Sequence, residues 1–318
     1  MQQLLRLSFE DSPGGATGQY QPREEKNGTI PPYCAPLEVN LPWSIDVLRA
    51  QPMNSESYHH NEISGYMARP SLNLPAPPLK FHQEDMKAWG EIWRGKNPEK
   101  TGSAWKEDRV DYFVKKDAMD FANYLDSTTA ECLSQFLGGI PIQFAKQNHL
   151  TPIDGRVCVE LGEITICGGV RQQNFDVAFR PDGPRIIVDS KGLNATKSIQ
   201  KNWQNMINDI ATEATTVHLR YPYAITSFVI ALPKQALRDS QRADIINTLE
   251  RMAGRDLPHY PPSLSEIITL MIWDVDTGEV DPEYPHPDSP LRVEKFSEIL
   301  ERTYCSRYKG LLPHESVL

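Results

Sequence analysis

The sequence lacks the long apolar runs and cysteine patterns that mark membrane and disulfide-rich proteins. No apolar run reaches the roughly 18 residues that a membrane-spanning helix needs, so we expect no membrane span. The N-terminal stretch MQQLLRLSFED has no long apolar core and no small-residue cleavage site, so we expect no signal peptide. The five cysteines are odd in number and form no C-x-x-C pair. This usage argues against a disulfide framework and a cysteine zinc site, and it indicates a reducing, cytoplasmic location.

Basic residues are also in the minority, which bears on nucleic-acid binding. The chain has 33 Lys and Arg against 42 Asp and Glu, a formal net charge of −9. Contacts to phosphates need Lys and Arg, but a local face decides binding rather than the total charge. Between 171 and 220 basic residues outnumber acidic ones, whereas the rest of the chain is acidic. A P-loop, a G-x-G-x-x-G, a G-x-S-x-G and an internal repeat are missing, which removes several common enzyme and repeat classes.

What is present is the pattern of a globular body with a proline-rich N-terminal extension. Hydrophobic residues make up 39% and charged residues 24% of the chain, as in ordinary globular proteins. Residues 1–80 are proline-rich and weakly periodic, and we interpret them as an arm that either covers the main body or embraces DNA or a second subunit. In residues 81–318, buried-strand patterns alternate with helical ones. The predicted fold class is α/β, with a mixed central β-sheet flanked by helices.

The stretch from Asn174 to Lys191 predicts two β-strands joined by a tight turn. Apolar and polar residues alternate from Phe175 to Arg180, and Ile186 to Val188 form a β-branched apolar run. Between them lies Pro181-Asp182-Gly183-Pro184, whose residue types favour a turn. We therefore expect a β-hairpin at the centre of the domain.

The register of this hairpin would bring acidic residues together. If Arg180 pairs with Arg185 across the turn, then Asp176 lies directly opposite Asp189, and Lys191 shares a face with Asp189. Like charges placed opposite each other repel. Such a patch suits Mg²⁺, which takes oxygen ligands and is usually held by one or two carboxylates plus substrate phosphate. The alternative is an exposed polar hairpin in which Asp189 simply pairs with Lys191.

The order of elements around the hairpin resembles the PD-(D/E)xK nuclease superfamily, which includes many type II restriction endonucleases. The resemblance covers about residues 117–232. In family order, the matching segments are a helix at about 117–137, a strand at about 156–166, the hairpin strands, a helix at about 196–219 and a strand at about 224–232. The motif itself is loose, because Phe175 rather than proline precedes Asp176. The order of elements therefore carries more of the resemblance than the three motif letters.

The resemblance implies roles for particular residues. Asp176 and Asp189 would bind the metal, and Lys191 would lie near the attacking water. Many relatives add a glutamate from the first helix, which makes Glu131 a candidate. Glu160 and Glu163, on the predicted strand before the hairpin, are alternatives for this accessory acid.

The helix after the hairpin carries a polar stripe that includes Lys197, Lys201 and Gln204. In the family this helix packs beside the catalytic site, so these side chains are candidates for DNA binding. The alternative is a solvated helix face without a partner.

The function that this reading implies is Mg²⁺-dependent hydrolysis of DNA phosphodiester bonds. The size and the large flanking regions resemble a type II restriction endonuclease of a restriction–modification system, a phage-defence enzyme. We expect a homodimer that cuts a short palindromic site in double-stranded DNA, because two-fold symmetry in the protein matches that of the target. Three alternatives stay open: a nuclease subunit of another anti-phage defence assembly, a non-catalytic protein-interaction module, and a nuclease that acts on RNA.

Overall fold

The computed structural model describes residues 70–95, 111–146, 149–151 and 157–314. All described residues belong to one compact unit. Of the predicted extension, 1–69 lie outside the described residues. The remaining part, from 70 to 80, includes Leu79, which is buried in the core of the main body.

The centre of the domain is a six-stranded mixed sheet, as predicted. Its strands follow one another in chain order: β1 Ile142–Phe144, β2 Val159–Cys167, β3 Gln172–Phe179, β4 Ile186–Gly192, β5 Ile225–Pro233 and β6 Ile267–Trp273. The β2–β3 and β3–β4 pairs are antiparallel, whereas β1–β2, β4–β5 and β5–β6 are parallel. All residues of β5 and β6 are buried, as expected for parallel strands covered on both faces.

Helices cover both faces of the sheet. They are α1 Gln83–Trp93, α2 Lys115–Phe136, α3 Thr196–His218, α4 Asp239–Met252 and α5 Phe296–Tyr308. One core packs apolar residues of α1, α2 and α5 against the sheet, and a second packs those of α3 and α4. Along β6, Ile267, Met271 and Trp273 belong to the first core, while Ile268, Leu270 and Ile272 belong to the second. This alternation places the two helical layers on opposite faces of the sheet. No helix within the described ranges combines the length and apolarity needed to cross a membrane.

The predicted hairpin register is confirmed. Val177 pairs with Val188 and Phe179 with Ile186, the register that places Asp176 opposite Asp189. The ladder ends at Val177 and Val188. Just beyond it, the backbone N–H of Ser190 donates a hydrogen bond of 2.9 Å to Oδ2 of Asp176. The Asp176 carboxylate is thus tied to the backbone of β4 at the point where regular pairing stops.

A bulge in β2 faces this point. The pairing of β2 with β3 shifts between Leu161 and Ile164, and Gly162 has φ of 108°. Only glycine adopts such a backbone angle without strain. Asp176 lies between the pairs that flank the bulge, so regular sheet pairing is interrupted on both sides of β3 at this residue.

A buried ionic cluster lies at the start of β6, the edge strand of the sheet. Glu266, just before β6, accepts hydrogen bonds from Arg255 at 2.8 Å and from Arg307 at 2.9 Å. It also contacts the ring of His218 at 3.1 Å and accepts from the backbone of Thr226 at 2.9 Å. These partners outweigh burial and hold the pKa of Glu266 down to about 2. The cluster ties α3, α5 and the segment after α4 to the start of β6.

Candidate active site

Three aspartates from three elements form the candidate site, at the end of the β3–β4 ladder. They are Asp126 of α2, Asp176 of β3 and Asp189 of β4. Burial raises the pKa of Asp176, and the charges of Asp189 and Asp126 raise it further, to about 9. The carboxylates therefore lie close enough to oppose one another's ionisation. Without a cation, Asp176 holds a proton at neutral pH.

Asp126 is the acid that α2 contributes. It is buried, and its burial raises the pKa to about 7; the Ser190 hydroxyl lowers this pKa and the charge of Asp189 raises it. Its neighbours along the helix, Leu125 and Thr129, are buried as well. Asp126 thus lies on the face of α2 that packs against the sheet, beside the carboxyl end of β4.

Lys191 supplies the positive charge of the site. Its Nζ forms an ion pair with Asp189 and a hydrogen bond of 2.9 Å with Glu213 of α3. Burial lowers the pKa of this lysine, but the two carboxylates outweigh burial and raise the pKa above its ordinary value. Lys191 is therefore a permanent ammonium at any physiological pH.

Glu213 fixes Lys191 from the helix side. This buried carboxylate also accepts a hydrogen bond of 3.2 Å from the side chain of Gln173 on β3. Burial and the charge of Asp189 raise its pKa to about 7, although Lys191 lowers it. Glu213 and Asp189 hold the ammonium between them, so Glu213 acts on the site by positioning Lys191.

The accessory acids named from the sequence do not lie in this cluster. Glu131 is exposed on α2. Five residues separate it from Asp126, a rotation of about 140° around the helix. The structure therefore places Asp126, and not Glu131, beside Asp189. A signal for Asp126 exists in the sequence, because a charged residue interrupts the apolar stripe that includes Leu125 and Leu133 well beyond the first turn of the helix.

Glu160 has a structural partner instead. Arg180 donates to both carboxylate oxygens of Glu160, at 2.5 and 2.8 Å, and all of these groups are buried. The same guanidinium donates to the backbone oxygen of Thr165 at 3.2 Å. Such a bidentate pair satisfies Glu160 within β2 and β3. The alternative acid Glu163 is exposed and accepts a hydrogen bond of 2.5 Å from Asn174.

The polar stripe of α3 is exposed, as its sequence pattern indicates. Lys197, Lys201 and Gln204 all face solvent. Their positions leave them accessible to a large ligand, but none of them is a partner of the carboxylate cluster. Their role in DNA binding stays a prediction.

The donor set fits Mg²⁺ in chemistry. No three His, Cys, Asp or Glu side chains within the described ranges are arranged to ligate a metal as they stand. Mg²⁺ usually takes one or two carboxylates, however, and Asp176 and Asp189 supply these. Oδ1 of Asp126 is buried and has no hydrogen-bond partner among the described residues, so a further oxygen acceptor is available. A cation here would favour the charged form of Asp176 and relieve the repulsion.

Comparisons with known proteins add no relative. No protein-family model, no curated protein and no solved structure matches this chain. We therefore infer function from the geometry and chemistry of the site.

Proposed function

We propose that the protein is a Mg²⁺-dependent endonuclease of the PD-(D/E)xK type, which hydrolyses DNA phosphodiester bonds. The observation that carries the proposal is the meeting of Asp176 and Asp189 at the end of the hairpin ladder, beside the Asp189–Lys191 ion pair, where burial and neighbouring carboxylates raise the pKa of Asp176. Crowded carboxylates that resist ionisation destabilise a protein unless a bound cation neutralises their charge. Perturbed acids of this kind cluster at functional sites.

Each residue of the site has a defined task in this reaction. Asp176 and Asp189 would hold Mg²⁺, which supplies charge to the scissile phosphate and acidity to a coordinated water. Two of the three N–H donors of Lys191 are directed to Asp189 and Glu213, so the third would donate to the attacking water or to the scissile phosphate, and the ammonium would stabilise the negative charge that develops there. Because its pKa is raised, Lys191 acts as a cationic donor rather than a general base. Glu213 and Gln173 would keep this ammonium in place.

The sheet topology supports the same class. A helix, an antiparallel hairpin preceded by a third strand, a second helix and a parallel strand occur in this order as α2, β2–β3–β4, α3 and β5, with the short strand β1 inserted between α2 and β2. This order is the one on which the resemblance to type II restriction endonucleases was based. We therefore propose a site-specific double-strand cutter that acts as a homodimer.

The test is cleavage of mixed phage and plasmid DNA by the purified full-length protein, with Mg²⁺ and with EDTA. Discrete fragments that need Mg²⁺ are expected for the wild type, and none for Asp189→Asn. Asp244→Asn is the matched control, because Asp244 is exposed on α4, and only its backbone oxygen accepts a side-chain hydrogen bond, from Thr248. Cleavage by Asp189→Asn at the wild-type rate would show that the site is wrongly assigned.

One observation favours a second candidate function. The net charge of −9 suits a nuclease subunit that other proteins of a defence assembly deliver to DNA. Such a subunit would be monomeric in gel filtration and inactive on free DNA by itself. A dimer that cuts DNA without partners would exclude this reading.

A further inference from the structure

A recess beside the carboxylate cluster has no role in the mechanism above. Its volume is about 550 Å³, and it lies between the end of β4 and the outer face of α3. Lys191 forms part of its wall, together with Asn202, Asn205, Met206 and Asp209. The volume falls within the range of about 300–1,000 Å³ that is typical of small-molecule sites. Because Lys191 belongs to both, a ligand in the recess lies next to the reacting centre.

The charge of the recess is unsuited to phosphate. Its wall has one cation, Lys191, and one anion, Asp209. The ammonium is already paired with Asp189 and Glu213. Lys197 and Lys201 do not line the recess. The one donor that Lys191 has left serves the metal site in the proposed mechanism, so a second phosphate inside the recess would meet the carboxylate of Asp209 without a further cation to offset it. A neutral ligand is therefore favoured in the recess.

The polar groups of the recess match the edge of a nucleobase. Asn202, Asn205 and Asp209 are exposed at spacings of three and four along α3, and among the described residues their side chains hydrogen-bond no other protein group. A carboxamide both donates and accepts, which lets asparagine pair with a base edge, and a carboxylate accepts from a base amino group. Met206 is buried and presents a polarizable apolar surface to the recess.

We propose that the recess holds one nucleobase of the substrate strand, unstacked from its neighbours, beside the phosphate that Lys191 contacts. This inference rests on the proposed nuclease function and deepens it. A base within a duplex offers only its groove edges, whereas a base in a recess has left the stack. The substrate is then DNA with an unpaired nucleotide, or one extruded from the duplex, at the cleavage position.

The test measures binding, so it does not depend on cleavage. Fluorescence anisotropy in EDTA would compare three labelled DNAs with the full-length protein: a single strand, a perfect duplex and a duplex with one unpaired nucleotide. The variant is Asn202→Ala with Asn205→Ala. The matched control is Asn247→Ala, since Asn247 is exposed on α4 and does not line the recess.

We expect the double variant to bind the single strand and the unpaired-nucleotide duplex about tenfold more weakly, a loss typical of one base contact. The control should bind like the wild type. Replacing the unpaired nucleotide by an abasic one should weaken wild-type binding by a similar factor. Unchanged affinity of the double variant, or no effect of the abasic nucleotide, would overturn the proposal.

Two further arms separate this inference from its alternatives. Free 5′-mononucleotides that bind tightly while no DNA binds would make the recess a nucleotide site and overturn its role in substrate binding. If the wild type cleaves DNA but the double variant binds DNA with unchanged affinity, the proposed role of the recess is wrong and the nuclease function stands. If the protein binds DNA, the double variant weakens this binding, and no DNA is cleaved, then the recess is a base-binding site and the nuclease function is wrong.

Discussion

Replacing Asp176 by asparagine should stabilise the metal-free protein. Asn has the shape of Asp, and its Oδ1 can still accept the hydrogen bond from the Ser190 backbone N–H. What it removes is a partly buried carboxyl that Asp189 and Asp126 keep from ionising. Catalytic sites often carry such strain, so activity and stability should change in opposite directions.

The magnitude follows from the pKa. The ordinary pKa of an aspartate, 3.8, lies about three pH units below pH 7. At about 1.4 kcal/mol per unit, keeping Asp176 protonated in the folded protein at pH 7 costs at most about 4 kcal/mol of stability. Solvent reaches this carboxyl and Asp126 shares the repulsion, so we expect about 1–3 kcal/mol in the free energy of unfolding.

The sign of the pH dependence is fixed by the direction of the shift. Between pH 3.8 and about 9 the folded protein keeps a proton on Asp176 that the unfolded chain has lost. Wild-type stability should therefore fall as pH rises through this window. Asp126 and Glu213, with pKa values near 7, act in the same direction at the lower end of the window. The variant should show a smaller slope.

The assay is urea unfolding in EDTA from pH 5 to pH 9, followed by tryptophan fluorescence. Asp244→Asn controls for the loss of a negative charge at an exposed position. A gain of stability for Asp176→Asn that grows with pH is expected, with no such trend in the control. The prediction is wrong if Asp176→Asn is less stable than the wild type at pH 8, or if the pH dependence of its free energy of unfolding is unchanged. Either result would mean that the neighbouring carboxylates do not oppose the ionisation of Asp176.

Three other predictions test different parts of the structure. Added Mg²⁺ or Ca²⁺ should raise the Tm of the wild type but not of Asp189→Asn, because a ligand stabilises only the state that binds it; equal shifts would contradict a metal site. Asp126→Asn should reduce Mg²⁺-dependent cleavage and Glu131→Gln should not, since Glu131 is exposed; the converse result in single-turnover assays would restore Glu131. Glu266→Gln should cost about 3–5 kcal/mol in urea unfolding at pH 7, as expected for breaking a buried ionic cluster. The loss should shrink as pH falls toward 2, where Glu266 takes up a proton. A loss below about 1 kcal/mol would show that the cluster contributes little.

Local patterns predicted most of the fold. The turn between Arg180 and Arg185 sets the hairpin register, because strand pairing adjacent to a short turn has little freedom. The apolar run of β5 identifies a strand buried on both faces, and the period of α3 identifies an amphipathic helix. These features depend on residues close together in the chain, which is why the sequence alone was sufficient for Asp176, Asp189 and Lys191 to be placed together.

Tertiary packing decided the remainder of the site. Which acid of α2 meets the hairpin depends on the rotation of that helix against the sheet, and this rotation placed Asp126 at the site and Glu131 in solvent. Glu160 of β2 forms an ion pair with Arg180, just after β3, because the two strands lie side by side. Glu213 forms an ion pair with Lys191 because α3 packs against β4. The sequence by itself determined the strands from β2 to β6 and the hairpin register that brings Asp176, Asp189 and Lys191 together, because these features depend on local residue patterns and one short turn. Only the tertiary structure determined the third aspartate, the clamp on Lys191 and the recess, because each depends on how separate elements pack.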